Sequence, residues 1–121
     1  MTHRNQETGN WGESLAAAHL RQQGYAILET NWRCPLGELD IIAQDGETLV
    51  FVEVKTRRAG GIEAAFMSVT LRKRERMIAS IYSYIDAQQL EDPLWRIDLI
   101  AIALTRGNKA IIDHRENALD W

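Results

Sequence analysis

The chain lacks several features that would place it in a specialised class of protein. It has a single cysteine, Cys34, so no disulfide can form within the chain, which suits a reducing cytosol. No apolar run approaches the roughly 18 residues that suggest a membrane span, and no signal peptide is visible. Its three histidines have no zinc-ligand spacing, and no phosphate-cradling glycine loop is present. We therefore expect a cytoplasmic protein that does not act at a membrane.

The chain also lacks an excess of positive charge, but its charges are unevenly distributed. The net charge is −3, which argues against a simple electrostatic nucleic-acid binder. Residues 55–76 nevertheless hold seven of the 14 lysines and arginines against two glutamates, a local charge of +5. This basic segment fits a phosphodiester-binding surface and a solvated helix face equally well.

The length of 121 residues suits one domain, 1–121, with one hydrophobic core. Hydrophobic periodicity predicts the order helix, three strands, helix, strand, strand. The predicted helices cover about 9–23, ended by Gly24, and about 70–88, and the predicted strands outside the central hairpin cover about 25–33, 95–103 and 109–113. This order indicates an α+β or mixed-sheet domain with helices packed on the sheet.

The central hairpin, residues 37–55, carries charged residues in otherwise apolar strands. Asp45-Gly46 predicts a two-residue loop, which places Asp40 opposite Phe51. Because side chains alternate along a strand, one face of the hairpin then holds Glu38, Asp40, Glu53 and Lys55. The other face is predicted to hold Leu39, Ile41, Val52 and Val54.

The charged face has two interpretations. An ordinary half-solvated sheet carries cross-strand ion pairs, and charged strand residues are usually of this kind. However, the like charges of Glu38, Asp40 and Glu53 repel one another, and aspartate is a poor strand former. A divalent cation such as Mg²⁺ relieves that repulsion, because carboxylates, backbone carbonyls and water are its ligands. Lys55 can there orient a nucleophilic water or stabilise charge on a phosphoryl oxygen.

Two further acids have open roles. Glu13 heads an apolar helix stripe and is a candidate fourth acid, but Asn10 and Glu13 also match a capping box. Gly12, in the predicted first turn of the helix, allows a close approach to this end of it. Asp98, near the start of a late strand, is expected to be structural.

The ordered motifs resemble those of the YraN-like family of small bacterial proteins. They are Gly9-x-x-Gly12-Glu13, Asn31, Gly37-Glu38-x-Asp40, Val52-Glu53-Val54-Lys55, Lys73, Arg76 and Arg96-x-Asp98. That family looks like part of the PD-(D/E)xK nuclease superfamily, near the archaeal Holliday-junction resolvases. The superfamily's proline before the aspartate is replaced here by Leu39. The resemblance implies an α/β fold, a mixed sheet with a restriction-endonuclease-like αβββαβ core.

The resemblance also implies roles for individual residues. Asp40, Glu53 and the Val54 carbonyl would bind Mg²⁺ or Mn²⁺, and Lys55 would be the catalytic lysine. Glu13 matches the helix glutamate that completes the pocket, which favours the functional interpretation of this residue. The residues expected to contact nucleic acid are Arg57, Arg58, Lys73 and Arg76.

The leading hypothesis from the sequence is a metal-dependent endonuclease acting on DNA, with a resolvase-like preference for branched structure. Resolution of a junction needs two active sites, so a homodimer is expected. The alternative is a non-catalytic module that binds nucleic acid or a protein partner and retains the fold. A hydrolase of small phosphorylated metabolites is a third interpretation, which fits the net charge but has no recognition motif.

Overall fold

The computed structural model describes residues 2–57, 71–105, 107 and 109–118, with side chains from Asn10 onward in the first helix. The described elements follow the predicted order of helix, three strands, helix, strand, strand. They are α1 (Thr2–Gln22), β1 (Ala26–Cys34), β2 (Gly37–Asp45), β3 (Thr48–Arg57), α2 (Leu71–Ala87), β4 (Trp95–Leu104) and β5 (Ala110–Arg115). In this part of the chain, neither helix combines the length and apolar character needed to cross a bilayer.

The strands form one five-stranded sheet in the order β1-β2-β3-β4-β5. Strands β3 and β4 are parallel, and the other three pairs are antiparallel. Parallel neighbours require a crossover connection, and α2 lies between β3 and β4 in the chain. The predicted mixed α/β sheet with packed helices is therefore confirmed.

The two helices cover opposite faces of the sheet because neighbouring strand residues point to opposite sides. On the α1 face, Ala16 and Leu20 pack with Val52 and Ile100 in one buried cluster. On the α2 face, a second buried cluster contains Phe51, Ile81, Tyr84, Leu99 and Ala101. The sheet is thus buried between two apolar layers, which explains why β3 and β4 read as nearly continuous hydrophobic runs.

Helix α1 ends where the sequence predicts but begins earlier. Gly24 has φ 92°, and the Gly24 and Tyr25 amides donate to Arg21 O and Leu20 O, which is a Schellman motif. The helix begins at Thr2 instead of near residue 9. Residues 10–13 therefore lie inside the helix, and the capping-box interpretation of Glu13 is wrong.

In the hairpin between β2 and β3, each β2 residue pairs with a β3 residue two positions later than predicted. Asp45 pairs with Thr48, so the loop is Gly46 and Glu47, and of these only Gly46 has positive φ. Asp45 stays in the strand because its carboxylate bonds the Arg96 guanidinium at 3.2 Å. The predicted opposition of Asp40 and Phe51 is wrong, since Phe51 pairs with Ile42. A shift of two residues keeps the side chains of β3 on their predicted faces.

The regular alternation of β2 breaks at Asp40. Leu39 is buried in the cluster on the α2 face, whereas Ile41 is buried on the α1 face, so the prediction that they share a face is wrong. In β1, Asn31 has φ 53°, a left-handed conformation that interrupts the strand next to this point. The Val54 amide donates to the Asp40 carboxylate at 2.9 Å, so a side chain serves as its acceptor there.

A polar cluster lies on the α1 face at the start of β4. Asp98 is fully buried and accepts hydrogen bonds from Arg96 Nε at 3.0 Å, His114 Nε2 at 2.8 Å and the Asn117 amide at 3.1 Å. Burial alone would raise the pKa of Asp98, but the bonds from His114 and Arg96 outweigh it and hold the pKa below its usual value. Asp98 thus joins β4, β5 and the segment that follows β5.

The substitution Asp98→Asn is expected to lower the free energy of unfolding by about 3–5 kcal/mol near neutral pH, because it leaves buried donors facing a neutral amide. The folded-state pKa lies below the ordinary value of 3.8, so this stabilisation is complete above about pH 4 and is lost as the pH falls through the folded-state pKa. Denaturant unfolding from pH 7 to pH 2 measures both effects.

Asp113→Asn is the matched control, since Asp113 forms a partly exposed ion pair with Arg115 at 3.6 Å. It should cost at most about 1 kcal/mol. A constant difference between wild type and Asp98→Asn down to pH 2 would contradict the assignment.

Candidate functional site

The structure brings the carboxylates of Asp40 and Glu53 into direct contact across β2 and β3. Burial, the charges of Glu53 and Glu13 and a hydrogen bond with Glu53 together raise the pKa of Asp40 to about 8, although the bond from the Val54 amide lowers it. Two carboxylates this close remain ionised together only if a cation lies beside them. Without one, one of the two takes up a proton. The pair is therefore a place where positive charge is strongly favoured.

Lys55 supplies part of that positive charge. Its Nζ lies 3.1 Å from Glu53 Oε1, and both side chains are largely shielded, with 14% and 23% of their surface exposed. Burial alone would lower the pKa of Lys55, but Glu53 more than compensates and raises it. Lys55 is thus held as an ammonium beside the carboxylate pair, on the same face of β3 as Glu53.

Helix α2 places a second lysine beside Lys55. The pKa of Lys73 is lowered, first by its contact with Lys55 and the charge repulsion between them, and further by burial. Lys73 and Arg76 also line a cleft of about 220 Å³ together with Glu53, Glu38 and neighbouring residues of α2. The predicted basic residues of α2 therefore lie at the carboxylate site and not on a remote solvated face.

Of the other two predicted basic residues, Arg57 and Arg58, the structure describes Arg57. Arg57, at the end of β3, donates to the Thr56 carbonyl at 3.0 Å. Arg58 lies outside the described residues. Glu38 is exposed and pairs with Arg33 at 3.7 Å, a surface interaction worth little stability.

Glu13 approaches the same carboxylates from α1. Burial raises its pKa, a hydrogen bond with Asn31 partly opposes this, and the charges of Glu38 and Glu53 raise it further. Glu13 and Asn31 line a separate depression between α1 and β1. Glu13 therefore interacts electrostatically with the carboxylate pair, but it lines the depression between α1 and β1.

The close approach of α1 to β3 depends on Gly12. A Cβ atom at this position would overlap the Thr56 side chain, chiefly Oγ1. The absence of a side chain lets the helix lie against the end of β3, which carries Glu13 towards the carboxylates. The close approach predicted for Gly12 is confirmed.

The donor set of this site suits a hard cation. Side-chain and main-chain oxygens from Asp40, Glu53 and Val54 are the ligands that Mg²⁺ and Mn²⁺ prefer. Within residues 2–57, 71–105, 107 and 109–118, no three carboxylate, imidazole or thiol groups converge closely enough to hold a metal ion by themselves. The site is thus a carboxylate pair, which matches the one or two carboxylates that usually bind Mg²⁺ in proteins.

Comparison with known proteins identifies the family. Residues 12–102 match the model of the uncharacterised protein family UPF0102. The chain belongs to this family. It is 46% identical over 106 residues to a UPF0102 protein of Dehalococcoides mccartyi, covering 88% of each chain. It is also 40% identical over 122 residues to a UPF0102 protein of Roseiflexus castenholzii, covering 99% of this chain and 98% of the relative.

A third UPF0102 protein, from Geobacter sulfurreducens, is 40% identical over 119 residues and covers 98% of this chain. These matches confirm the predicted YraN-like family of uncharacterised bacterial proteins. The matched region 12–102 contains Gly12, the hairpin and the basic helix α2. The family name carries no activity, so function has to be argued from the site.

Sequence reasoning gave no role to Asn31 or Thr56, which the structure places at the site. An asparagine in the middle of a strand is unusual, and asparagine tolerates positive φ, so Asn31 carried a detectable signal. Thr56 carried none, because its contact with Gly12 depends on how α1 packs against β3.

In metal-free buffer at pH 8, Asp40→Asn is expected to raise the free energy of unfolding by about 0.5–2 kcal/mol, since it removes an acid whose ionisation beside Glu53 destabilises the folded state. The folded-state pKa of about 8 exceeds the ordinary 3.8, so wild type loses stability as the pH rises from 4 to 8. The advantage of the variant should therefore grow across this window. Denaturant unfolding with a chelator present measures it.

The exposed Asp86→Asn serves as the control and should be neutral at both ends of the window. Lower stability of Asp40→Asn than of wild type at pH 8 would refute the electrostatic account of the pair.

Gly12→Ala is expected to destabilise the protein by about 1–2 kcal/mol, because overlap with Thr56 outweighs the gain in helix propensity. Thr56→Ala removes Oγ1, the atom that would overlap most. In the Thr56→Ala background the same glycine substitution should become neutral or stabilising. A double-mutant cycle of unfolding free energies tests this reversal, and additive effects would count against the close contact.

Proposed function

We propose that this protein is a Mg²⁺- or Mn²⁺-dependent phosphodiester hydrolase acting on DNA, related to the PD-(D/E)xK nucleases. The observation that supports this most is the contact between Asp40 and Glu53 on neighbouring strands, with the Lys55 ammonium 3.1 Å from Glu53. A structural ion pair needs one carboxylate and one cation. A second, half-buried carboxylate held against the first adds a cost that a bound cation would offset.

The residues that would hold the metal ion are Asp40, Glu53 and the Val54 carbonyl, with Glu13 contributing from α1. When bound, the ion supplies Lewis-acid polarisation of the phosphate and lowers the pKa of an attacking water. Asp40 is positioned for this by the Val54 amide, which donates to one of its carboxylate oxygens. The hydrogen bond pre-orients the side chain before any ligand arrives.

Lys55 would act on the scissile phosphate itself. Its ammonium is held by Glu53 in a partly shielded position, where a charge acts more strongly than in open solvent. There it orients the attacking water and stabilises the negative charge that develops on a phosphoryl oxygen. Lys73, in contact with Lys55, adds a second positive charge on the same side.

The basic residues around the cleft would bind the flanking phosphates of DNA. Lys73 and Arg76 line the cleft beside Glu53, and Arg57 ends the strand that carries Glu53 and Lys55. Arg58 follows directly in the chain. Such contacts carry no base specificity, so the enzyme would recognise DNA structure, as a resolvase does. Because resolution of a junction needs two active sites, the enzyme would work as a homodimer.

Purified protein with Mg²⁺ or Mn²⁺ should cleave DNA, tested on branched, single-stranded and duplex substrates. Asp40→Ala should abolish cleavage, and Lys55→Ala should lower the single-turnover rate by about 10²–10³-fold, as loss of one preorganised donor does. The matched controls are Glu47→Gln and Lys109→Ala, exposed positions of the same charge, which should retain the wild-type rate. Cleavage that persists in both Asp40→Ala and Lys55→Ala would end the proposal.

Calorimetric titration with Mg²⁺ separates this function from a non-catalytic module with the same fold. The proposed site requires binding that disappears in Asp40→Ala and survives in Glu47→Gln. Salt-sensitive DNA binding without Asp40-dependent metal binding would instead favour a nucleic-acid-binding module.

A further inference from the structure

Two histidines meet near the C-terminal end of α1. His19 Nε2, from α1, lies 3.4 Å from His114 Nδ1, from β5, and the two rings are edge to face with centroids 5.4 Å apart. Hydrogen bonds with a nitrogen donor are most often about 2.9–3.0 Å long. Two nitrogen ligands of a tetrahedral zinc ion with bonds of about 2.0–2.1 Å lie roughly 3.3–3.4 Å apart. The observed separation is at the long end for a hydrogen bond and equals the separation of two ligands on one zinc ion.

The second nitrogen of His114 is already occupied. Its Nε2 donates to Asp98 at 2.8 Å, and Asp98 is fully buried and fixed by Arg96 and the Asn117 amide. Because a neutral imidazole carries only one proton, this bond leaves Nδ1 as a lone pair directed at His19. A histidine ligand whose other nitrogen donates to a carboxylate is the usual arrangement at protein metal sites.

The surroundings hold the His114 ring in place while leaving the site reachable. Tyr25 packs edge to face against it at 5.9 Å, and its hydroxyl is bonded to Arg96 and Glu116. The His114 side chain is 12% exposed, and His19 is half-buried on α1. Two protein ligands with access from solvent leave the remaining coordination positions to water.

We propose that His19 and His114 bind a divalent transition metal ion of the zinc class, at a site separate from the Asp40–Glu53 pair. The two sites differ in ligand chemistry, because imidazole favours zinc, cobalt and nickel whereas carboxylates and carbonyls favour magnesium and manganese. The bound ion would join α1 to the edge strand β5, and it would stabilise the folded state because the unfolded chain does not preform the site.

Titration of the full chain with Co²⁺, followed by visible absorption, tests the proposal in the presence of millimolar Mg²⁺. We expect a d–d absorption band typical of low-coordinate Co²⁺ that saturates at one equivalent and is displaced by Zn²⁺. The band should disappear in His19→Gln and His114→Gln. It should persist in Asp40→Asn with Glu53→Gln, so that failure of one site is distinguished from failure of the other.

His3→Gln is the matched control and should leave the band unchanged. Thermal unfolding with and without Zn²⁺ gives a second measurement, in which Zn²⁺ raises the Tm of wild type but not of His19→Gln. Because His114 also bonds Asp98, His114→Gln could fold poorly. In that case the result for His19→Gln decides the test. No Co²⁺ band, or a band that survives in both His19→Gln and His114→Gln, would mean that the two rings share only a hydrogen bond.

Discussion

The hydrogen bond from the Val54 amide to the Asp40 carboxylate is the interaction on which the site depends. It lies where the regular pairing of β2 with β3 gives way, and it supplies a side-chain acceptor for a strand amide. The same bond turns Asp40 towards Glu53 and away from solvent. One side chain therefore meets two requirements. It accepts a hydrogen bond from a backbone donor, and it pairs with a second acid.

Two aspartates of the same chain, Asp98 buried and Asp40 half-buried, show how environment decides charge. Asp98 receives four hydrogen bonds, two from Arg96 and one each from His114 and the Asn117 amide, and its pKa is lowered. Asp40 receives one hydrogen bond and faces other acids, and its pKa is raised to about 8. Burial disfavours ionisation at both positions, so the difference comes from the partners. The charge of Asp98 is stabilised by its partners in the folded protein, whereas the charge of Asp40 would be stabilised by an added cation.

Helix α1 connects the two regions. In the middle of the helix, Gly12 and Glu13 lie against β3 and the carboxylate pair, and near its C-terminal end His19 meets His114 beside Asp98. Ala16 and Leu20 of the same helix are fully buried against the sheet. The small residues Gly12 and Ala16 let the helix lie close to the strands, and that closeness brings the polar groups of both regions within reach of the sheet.

Much of this organisation can be inferred from the amino-acid pattern alone. The order of elements and the end of α1 at Gly24 follow from local periodicity and turn chemistry, which act over a few residues, and the family follows from motif spacing. The same reasoning selected Asp40, Glu53 and Lys55, because charges in apolar strands are conspicuous. Local signals were sufficient wherever a residue's neighbours in the chain decide its conformation.

Tertiary contacts decided the rest. Arg96 holds Asp45 in its strand and moves the hairpin loop to Gly46 and Glu47. The left-handed Asn31 and the Asp40–Val54 bond place Leu39 and Ile41 on opposite faces. Each of these outcomes depends on groups that are far apart in the chain. They come into contact only when the whole sheet packs against both helices.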